Sequence, residues 1–207
     1  MTTPALLHNL PRMIVTDVES TGLDLFVHQA TEVAWWDSAT GHYGERVLPH
    51  TLVGADPAAL EIQRYAERGI VRAPAATVDE LADLYALMGG DTIDRHRKPT
   101  LVGSNSSFDV GMLCGAFHRA GFTPSPPWYY RPTDVAHIAR WGLGWVDDHG
   151  HPLKLQRLTE RLAVHVPEGA AHTAIGDVRT TVQVLIRLLD LIGDHAPDCL
   201  PVTGASA

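Results

Sequence analysis

The chain has 207 residues, enough to bury a full hydrophobic core, and its 45% hydrophobic and 19% charged residues are typical of a globular protein. A formal charge of −8 argues against a broad basic surface of the kind that binds nucleic acid non-specifically. The two cysteines, Cys114 and Cys199, are too few and too far apart for a disulfide scaffold or a zinc site.

The chain shows neither a signal-peptide pattern in its first eleven residues nor an apolar run of membrane-spanning length. We therefore expect a cytoplasmic protein with no membrane partner. Residues 1–193 are predicted to form one domain. Residues 194–207 are predicted to form a loosely ordered C-terminal tail because of their proline, glycine and serine content.

The first part of the chain predicts an antiparallel meander. Residues 14–23 are typical of a short strand that breaks at a glycine, and residues 31–37 and 42–48 of two further strands. Glu32 interrupts the apolar pattern of the second strand, and we interpret it as a surface residue. The three strands are close enough in sequence to pair through short turns.

Two helices are predicted next. Asp56 is a suitable N-cap for a helix that extends to Gly69. Thr77 and Glu80 form a capping box at the start of a second helix, which ends near Met88 at two glycines. The second half alternates short strands, at 101–103 and 128–130, with helices at 108–120, 134–141, 153–164 and 174–192. This order indicates an α/β fold with a mixed sheet covered by helices.

Two carboxylates lie on the first strand. Side chains alternate between the faces of a strand, so Asp17 and Glu19 share a face while Val18 points to the other. Neighbouring carboxylates repel each other unless a cation lies between them. Taken alone, the pair also fits a solvated edge strand.

Two other acidic positions accompany this strand. Asp109 is predicted in the first turn of a helix, where a carboxylate also simply stabilises the helix dipole. His172 and Asp177 flank the start of the last helix. Residues five apart on a helix differ by about 140° around its axis, so both reach one site only if His172 lies on the preceding loop.

Together these positions form three motifs, in an order that resembles the DEDDh 3′–5′ exonuclease family: Asp17-x-Glu19 with Thr21-Gly22, then Asn105-x-x-Phe108-Asp109, then His172-x-x-x-x-Asp177. This family includes the DnaQ-like proofreading exonucleases, ribonuclease T and oligoribonuclease. The likeness extends to residues 29–34 and 154–158 and spans roughly 13–191. It implies a ribonuclease H-like fold, a five-stranded mixed sheet whose first three strands are antiparallel, flanked by helices.

The resemblance also implies a two-metal phosphodiester hydrolase. Asp17, Glu19 and Asp177 would bind one Mg²⁺ or Mn²⁺ ion, and Asp17 and Asp109 a second, because hard divalent cations prefer oxygen ligands. His172 would be the general base, since histidine titrates near neutrality. The implied reaction removes nucleoside 5′-monophosphates from a 3′ end.

The implied substrate is the 3′ end of single-stranded DNA or RNA, and the implied partners are a polymerase or a second copy of the chain. The residues expected to contact the terminal nucleotide are Ser20, Thr21, Gly22, Leu23, Asn105 and Phe108. For Phe108, core packing is slightly favoured over base stacking. Ser20 and Ser104 depart from the threonine or methionine and the histidine common in the family, which leaves substrate preference open.

Two alternatives to an exonuclease stay open. The first is a catalytically silent nucleic-acid-binding or polymerase-associated scaffold domain of the same fold, for which loss of a ligand would be the natural sign. The second is an endonuclease, against which the histidine spacing argues. DNA, RNA and very short oligonucleotides are equally compatible with the motifs.

Overall fold

The computed structural model describes residues 10–122 and 125–195, which form five strands and six helices of the expected α/β type. The strands are β1 Met13–Ser20, β2 Ala30–Asp37, β3 Tyr43–Val47, β4 Thr100–Gly103 and β5 Tyr129–Asp134. The helices are α1 Pro57–Ile62, α2 Val78–Leu87, α3 Ser106–Arg119, α4 Val135–Leu143, α5 Leu155–Leu162 and α6 Ala174–His195. A short 3₁₀ turn, Ile70–Arg72, precedes α2.

The five strands form one mixed sheet in the order β3-β2-β1-β4-β5. β1 pairs antiparallel with β2, which pairs antiparallel with β3, whereas the β1–β4 and β4–β5 pairs are parallel. The predicted meander and ribonuclease H-like sheet are therefore confirmed. The carboxyl ends of β1, β4 and β5 lie at the same edge of the sheet, where side chains from different segments meet.

Each face of the sheet carries its own hydrophobic core, as the alternation along β1 predicts. Met13 and Val15 pack on one side with α4, α5 and α6, where Leu158 and Leu185 are fully buried. Val18 packs on the other side with α2 and α3. Burying one such aliphatic side chain contributes about 1.5–3 kcal/mol, so the two layers hold β1 rigidly between them.

The predicted helix starts are confirmed at two positions. Asp56 accepts a hydrogen bond from the Ala58 amide at 2.9 Å and caps α1. Thr77 and Glu80 form the capping box of α2, in which the Glu80 amide donates to the Thr77 hydroxyl at 3.2 Å and the Thr77 amide donates to Glu80 at 2.8 Å. These signals are local, which is why sequence alone located them.

Two expectations in this part of the chain are wrong. The first helix ends at Ile62 instead of Gly69, because the Gln63 side chain turns inward and Arg64 adopts a left-handed backbone with φ 52°. Glu32 is not a surface residue: it is only 5% exposed, and Arg68 donates two hydrogen bonds to its carboxylate. A buried carboxylate is tolerated there because this guanidinium balances its charge.

Helix α6 continues through His195, two residues into the predicted tail. The rest of that tail, together with Cys199 and the first nine residues, lies outside the described residues. The division into a domain at 1–193 and a tail therefore stays a prediction. Within the described ranges, none of the helices has the length and apolar character needed to cross a bilayer.

Candidate active site

The candidate site lies where β1 extends beyond β4. β1 pairs with β4 only over Met13, Ile14 and Val15, and its remaining five residues have no partner in the shorter strand. Along one face of β1, apolar Met13 and Val15 are followed by Asp17 and Glu19. The strand therefore places its acidic half beyond the core, at the edge of the sheet.

Helix α6 brings a third carboxylate to this edge. Asp177 lies in its first turn, and carboxylate oxygens of Asp17, Glu19 and Asp177 all lie within 4.8 Å of one another. Among residues 10–122 and 125–195, these three form the only group of histidine, cysteine or acidic side chains close enough to hold a metal ion. The predicted convergence of the first and third motifs is thus observed.

Asp109 reaches the same region from α3. One carboxylate oxygen, Oδ1, accepts a hydrogen bond from the Val18 amide at 3.2 Å and so occupies a ladder position that β4 leaves open. The other oxygen, Oδ2, is buried without a hydrogen-bond partner among the described residues, in a side chain that is 3% exposed. An unpartnered buried carboxylate oxygen is energetically unfavourable unless a cation or water completes it.

His172 lies on the loop before α6, as its spacing to Asp177 requires. Its backbone is left-handed, with φ 57°, and its amide donates a hydrogen bond to Asp177 Oδ2 at 3.1 Å. The side chain is exposed. This hydrogen bond connects the loop to the start of α6, so the His172 side chain lies next to Asp177. The imidazole is not part of the group of side chains that could hold a metal ion.

The carboxylates of the site share a strong electrostatic penalty. Burial, followed by the charges of Asp109, Asp177 and Glu19, raises the pKa of Asp17 well above its ordinary value. Burial and then the Asp177 charge raise the pKa of Glu19 to about 8. Burial likewise raises the pKa of Asp109 and of Asp177, which the neighbouring His172 partly offsets for Asp177. Such a cluster is stable in its charged form only with a cation.

The donor set fits hard divalent cations. Asp17, Glu19, Asp177 and the nearby Asp109 all offer carboxylate oxygens, and no residue in the described ranges hydrogen-bonds the buried Asp109 Oδ2. Oxygen-only ligation is preferred by Mg²⁺ and Mn²⁺, whereas zinc favours histidine and cysteine. The histidines of the 145–152 loop do not join a site: Asp147 accepts the His149 and His151 amides at 2.9 and 2.8 Å, and all three residues are exposed.

A cleft of about 880 Å³ opens beside the carboxylates. Asp17, Asp177 and His172 line one wall, and residues from α5 and its flanking loops line the other. That second wall includes Lys154 and His165, which were not singled out from the sequence as site residues. The volume is in the range of small-molecule and nucleotide pockets.

The four residues expected to contact a terminal nucleotide after β1 differ in accessibility. Ser20 and Thr21 are buried, and the Thr21 hydroxyl accepts a hydrogen bond from the Gln29 amide at 3.0 Å. Gly22 has φ 154°, and a Cβ atom there would lie 2.5 Å from the His28 ring. Leu23, by contrast, is 80% exposed. Of these four residues, only Leu23 therefore presents a side chain to solvent.

The second motif, which contains Asn105, Phe108 and Asp109, contributes to core packing as well as to the candidate site. Asn105 is exposed in a left-handed conformation with φ 65°, and Phe108 is half-buried against the α2–α3 core. Asp134, which sequence reasoning treated only as a helix start, accepts the Asn105 amide at 2.6 Å and the Ala136 amide at 2.7 Å. It caps α4 and holds the loop that leads to Asp109. Its position at the end of β5 was the available signal.

Solved structures with the same architecture are exonuclease I chains. E. coli exonuclease I in complex with a dT13 oligonucleotide is 18% identical with a TM-score of 0.67, covering 91% of this chain and 43% of the other. The chain shares its fold with exonuclease I. The moderately thermophilic exonuclease I from Methylocaldum szegediense gives 18% identity and a TM-score of 0.64, over 91% of this chain and 42% of that one.

The chain thus spans less than half the length of these exonuclease I structures. No protein-family model matches it, and no curated protein does. The resemblance inferred from the motifs is confirmed at the level of the fold and its structural neighbours.

Proposed function

We propose that the protein is a two-metal-ion 3′–5′ exonuclease that hydrolyses the terminal phosphodiester of single-stranded nucleic acid and releases nucleoside 5′-monophosphates. One observation carries this proposal: carboxylates from three separate segments converge at the end of β1, and one of them has a buried oxygen that no described residue hydrogen-bonds. A purely structural cluster would be expected to contain a compensating lysine or arginine.

Each carboxylate has a place in this scheme. Asp17, Glu19 and Asp177 would hold one Mg²⁺ or Mn²⁺, and Asp109, with Asp17, a second. Two bound divalent cations supply charge stabilisation to the attacking and leaving oxygens of an in-line phosphoryl displacement. The protein contributes rigidity, because β1 is fixed between two cores and Asp109 is fixed on the Val18 amide.

His172 is proposed as the general base. It lies on the cleft beside Asp177, its side chain is exposed, and the hydrogen bond from its amide to Asp177 fixes its backbone. An imidazole that is not a metal ligand can accept the proton of a water molecule as that water attacks phosphorus.

The substrate is proposed to be a single-stranded 3′ end. The exonuclease I structures similar to this chain include complexes with dT13 and dA16 oligonucleotides. Leu23, exposed beside the cluster, offers an apolar surface to the terminal base. Because the protein as a whole is acidic, the metal ions would supply the positive charge that attracts the terminal phosphate.

The test is digestion of 5′-labelled single strands of DNA and RNA with Mg²⁺, Mn²⁺ or a chelator. We expect a ladder shortened from the 3′ end, free 5′-monophosphates, and no cleavage with chelator. Asp177→Asn should reduce the rate at least about 100-fold. Asp190→Asn, an exposed change on the same helix, should not.

Two results would overturn the proposal. Cleavage that persists in chelator would refute the metal-dependent mechanism. Metal binding and oligonucleotide binding without any hydrolysis would instead identify a silent binding domain.

A further inference from the structure

The strand that carries Glu19 leaves its partner through a bulge. Glu19 lies directly opposite Glu32 in the β1–β2 pair, but the next pair is Ser20 with Ala30, so Thr31 has no opposite residue. Bulges of this kind redirect side chains and are frequent beside active sites. The direction of Glu19 therefore depends on whatever holds the bulge in place.

Gln63 occupies the gap that this bulge creates. Its side chain is 1% exposed; Nε2 donates to the Ser20 carbonyl at 2.7 Å, and Oε1 accepts the Thr31 hydroxyl at 3.0 Å. The amide thus binds the Ser20 backbone carbonyl of β1 and the Thr31 side chain of β2 at the same time. Gln63 can do this only because the helix ends at Ile62 and the chain turns inward.

Arg68 completes the arrangement next to Gln63. Its guanidinium donates to both Glu32 oxygens, at 2.8 and 2.7 Å, and to the Gln63 carbonyl at 3.2 Å. Residues paired across an antiparallel ladder share a face, so Glu32 is on the same side of the sheet as Glu19. Consistent with this, the Glu32 charge raises the pKa of Glu19 and the Arg68 charge lowers it.

We propose that Gln63 and Arg68 are positioning residues for the carboxylate cluster: Gln63 holds the bulge that directs Glu19 towards Asp17 and Asp177, and Arg68 keeps Glu32 from acting as a competing metal ligand. This inference rests on the proposed function, since it takes Glu19 to be a metal ligand. It assigns a purpose to a buried ion pair that is not itself part of the cluster.

The experiment measures Mn²⁺ binding by calorimetry, and kcat and KM on a single-stranded oligonucleotide, for the full chain and its variants. Gln63→Met keeps the volume but loses the side-chain hydrogen bonds to Ser20, Thr31 and Ala59. It should weaken Mn²⁺ binding about tenfold and lower kcat while leaving KM nearly unchanged. Arg68→Met should lower kcat at saturating metal at least tenfold.

Adding Glu32→Gln to Arg68→Met provides the decisive comparison, because the double variant has neither buried charge. It should fold even if the single variant does not, and it should recover kcat to within about threefold of the wild type. Arg157→Met, which breaks the exposed Arg157–Glu160 pair on α5, serves as the matched control. Melting temperatures of all variants separate loss of fold from loss of positioning.

Normal Mn²⁺ affinity and kcat in Gln63→Met, or a folded double variant whose kcat stays at least tenfold below that of the wild type, would overturn the inference. Its failure is distinguishable from failure of the proposed function. A wild type that binds Mn²⁺ without hydrolysing nucleic acid refutes the function alone, and the Mn²⁺ isotherms then decide the inference. A wild type that binds no Mn²⁺ refutes both.

Discussion

Replacing Glu19 with glutamine is expected to stabilise the metal-free protein at neutral pH, although it removes a candidate metal ligand. Burial and the nearby Asp177 and Glu32 charges raise the pKa of Glu19 from 4.5 to about 8 in the folded protein. Between these two values the folded state holds a proton that the unfolded state has released. The stability of the metal-free protein therefore falls as the pH rises from 4.5 to 8.

The size of the effect follows from the same two values. At pH 7, about 2.5 pH units above the ordinary value of 4.5, the loss is at most about 3 kcal/mol, at 1.36 kcal/mol per unit. This is an upper limit because Asp17 and Asp177 also have raised pKa values, and neighbouring carboxylates take up protons as a group. Glutamine has no proton to release, so the variant avoids this loss.

The assay is urea unfolding in the presence of a chelator, at pH 5 and at pH 8. Wild-type protein should lose stability between the two pH values by more than the Glu19→Gln variant does. Glu45→Gln, on the exposed side of β3, is the matched control and should follow the wild type. Added Mg²⁺ should stabilise the wild type at pH 8 more than the variant, because the ligand binds only the folded state.

Two outcomes would refute this reasoning. One is a free energy of unfolding of the wild type that is equal or greater at pH 8 with chelator present. The other is a Glu45→Gln protein that behaves like Glu19→Gln, which would show that the effect reflects net charge and not the buried cluster.

Three further changes test other parts of the molecule. His172→Ala should lower kcat by about 10²–10⁴-fold, as expected for loss of a general base, while calorimetry shows Mn²⁺ binding unchanged. Leu23→Ala should raise KM for an oligonucleotide about fivefold with kcat unchanged, since it removes roughly 1 kcal/mol of apolar contact. Leu158→Ala, in the core under α5, should lower the free energy of unfolding by about 2–5 kcal/mol in denaturant titrations.

Features that depend on near neighbours in sequence were predictable. The alternation along β1 placed Asp17 and Glu19 on one face, and the Thr77–Glu80 capping box located the start of α2. The five-residue spacing of His172 and Asp177 required the loop position that the structure shows. In each case the physical rule acts within a few residues, so no knowledge of the remaining fold was needed.

Features that depend on distant partners were not predictable in the same way. From the sequence, Glu32 fits an exposed position that interrupts an apolar strand. Its burial depends on an ion pair with Arg68, which lies 36 residues later in the chain. The sequence around Gln63 fits a continuing helix. Its actual role depends on the bulge at Thr31, because the Thr31 hydroxyl donates a hydrogen bond to the Gln63 side chain. Hydrogen bonds from the buried Gln63 amide to Ser20 and Thr31, both distant in sequence, accompany the end of the helix there.

The difference in length between β1 and β4 explains why the site forms where it does. β1 has eight residues and β4 four, so the second half of β1 has no parallel neighbour and the Val18 amide needs another acceptor. Asp109 supplies that acceptor with one oxygen, and its other oxygen is buried with no hydrogen-bond partner in the described part of the chain. The hydrogen bond between the Val18 amide and Asp109 therefore also holds the Asp109 carboxylate next to the cluster. In the proposed mechanism, removing this carboxylate would disturb the fold and the chemistry together, whereas removing the exposed His172 side chain would affect the chemistry alone.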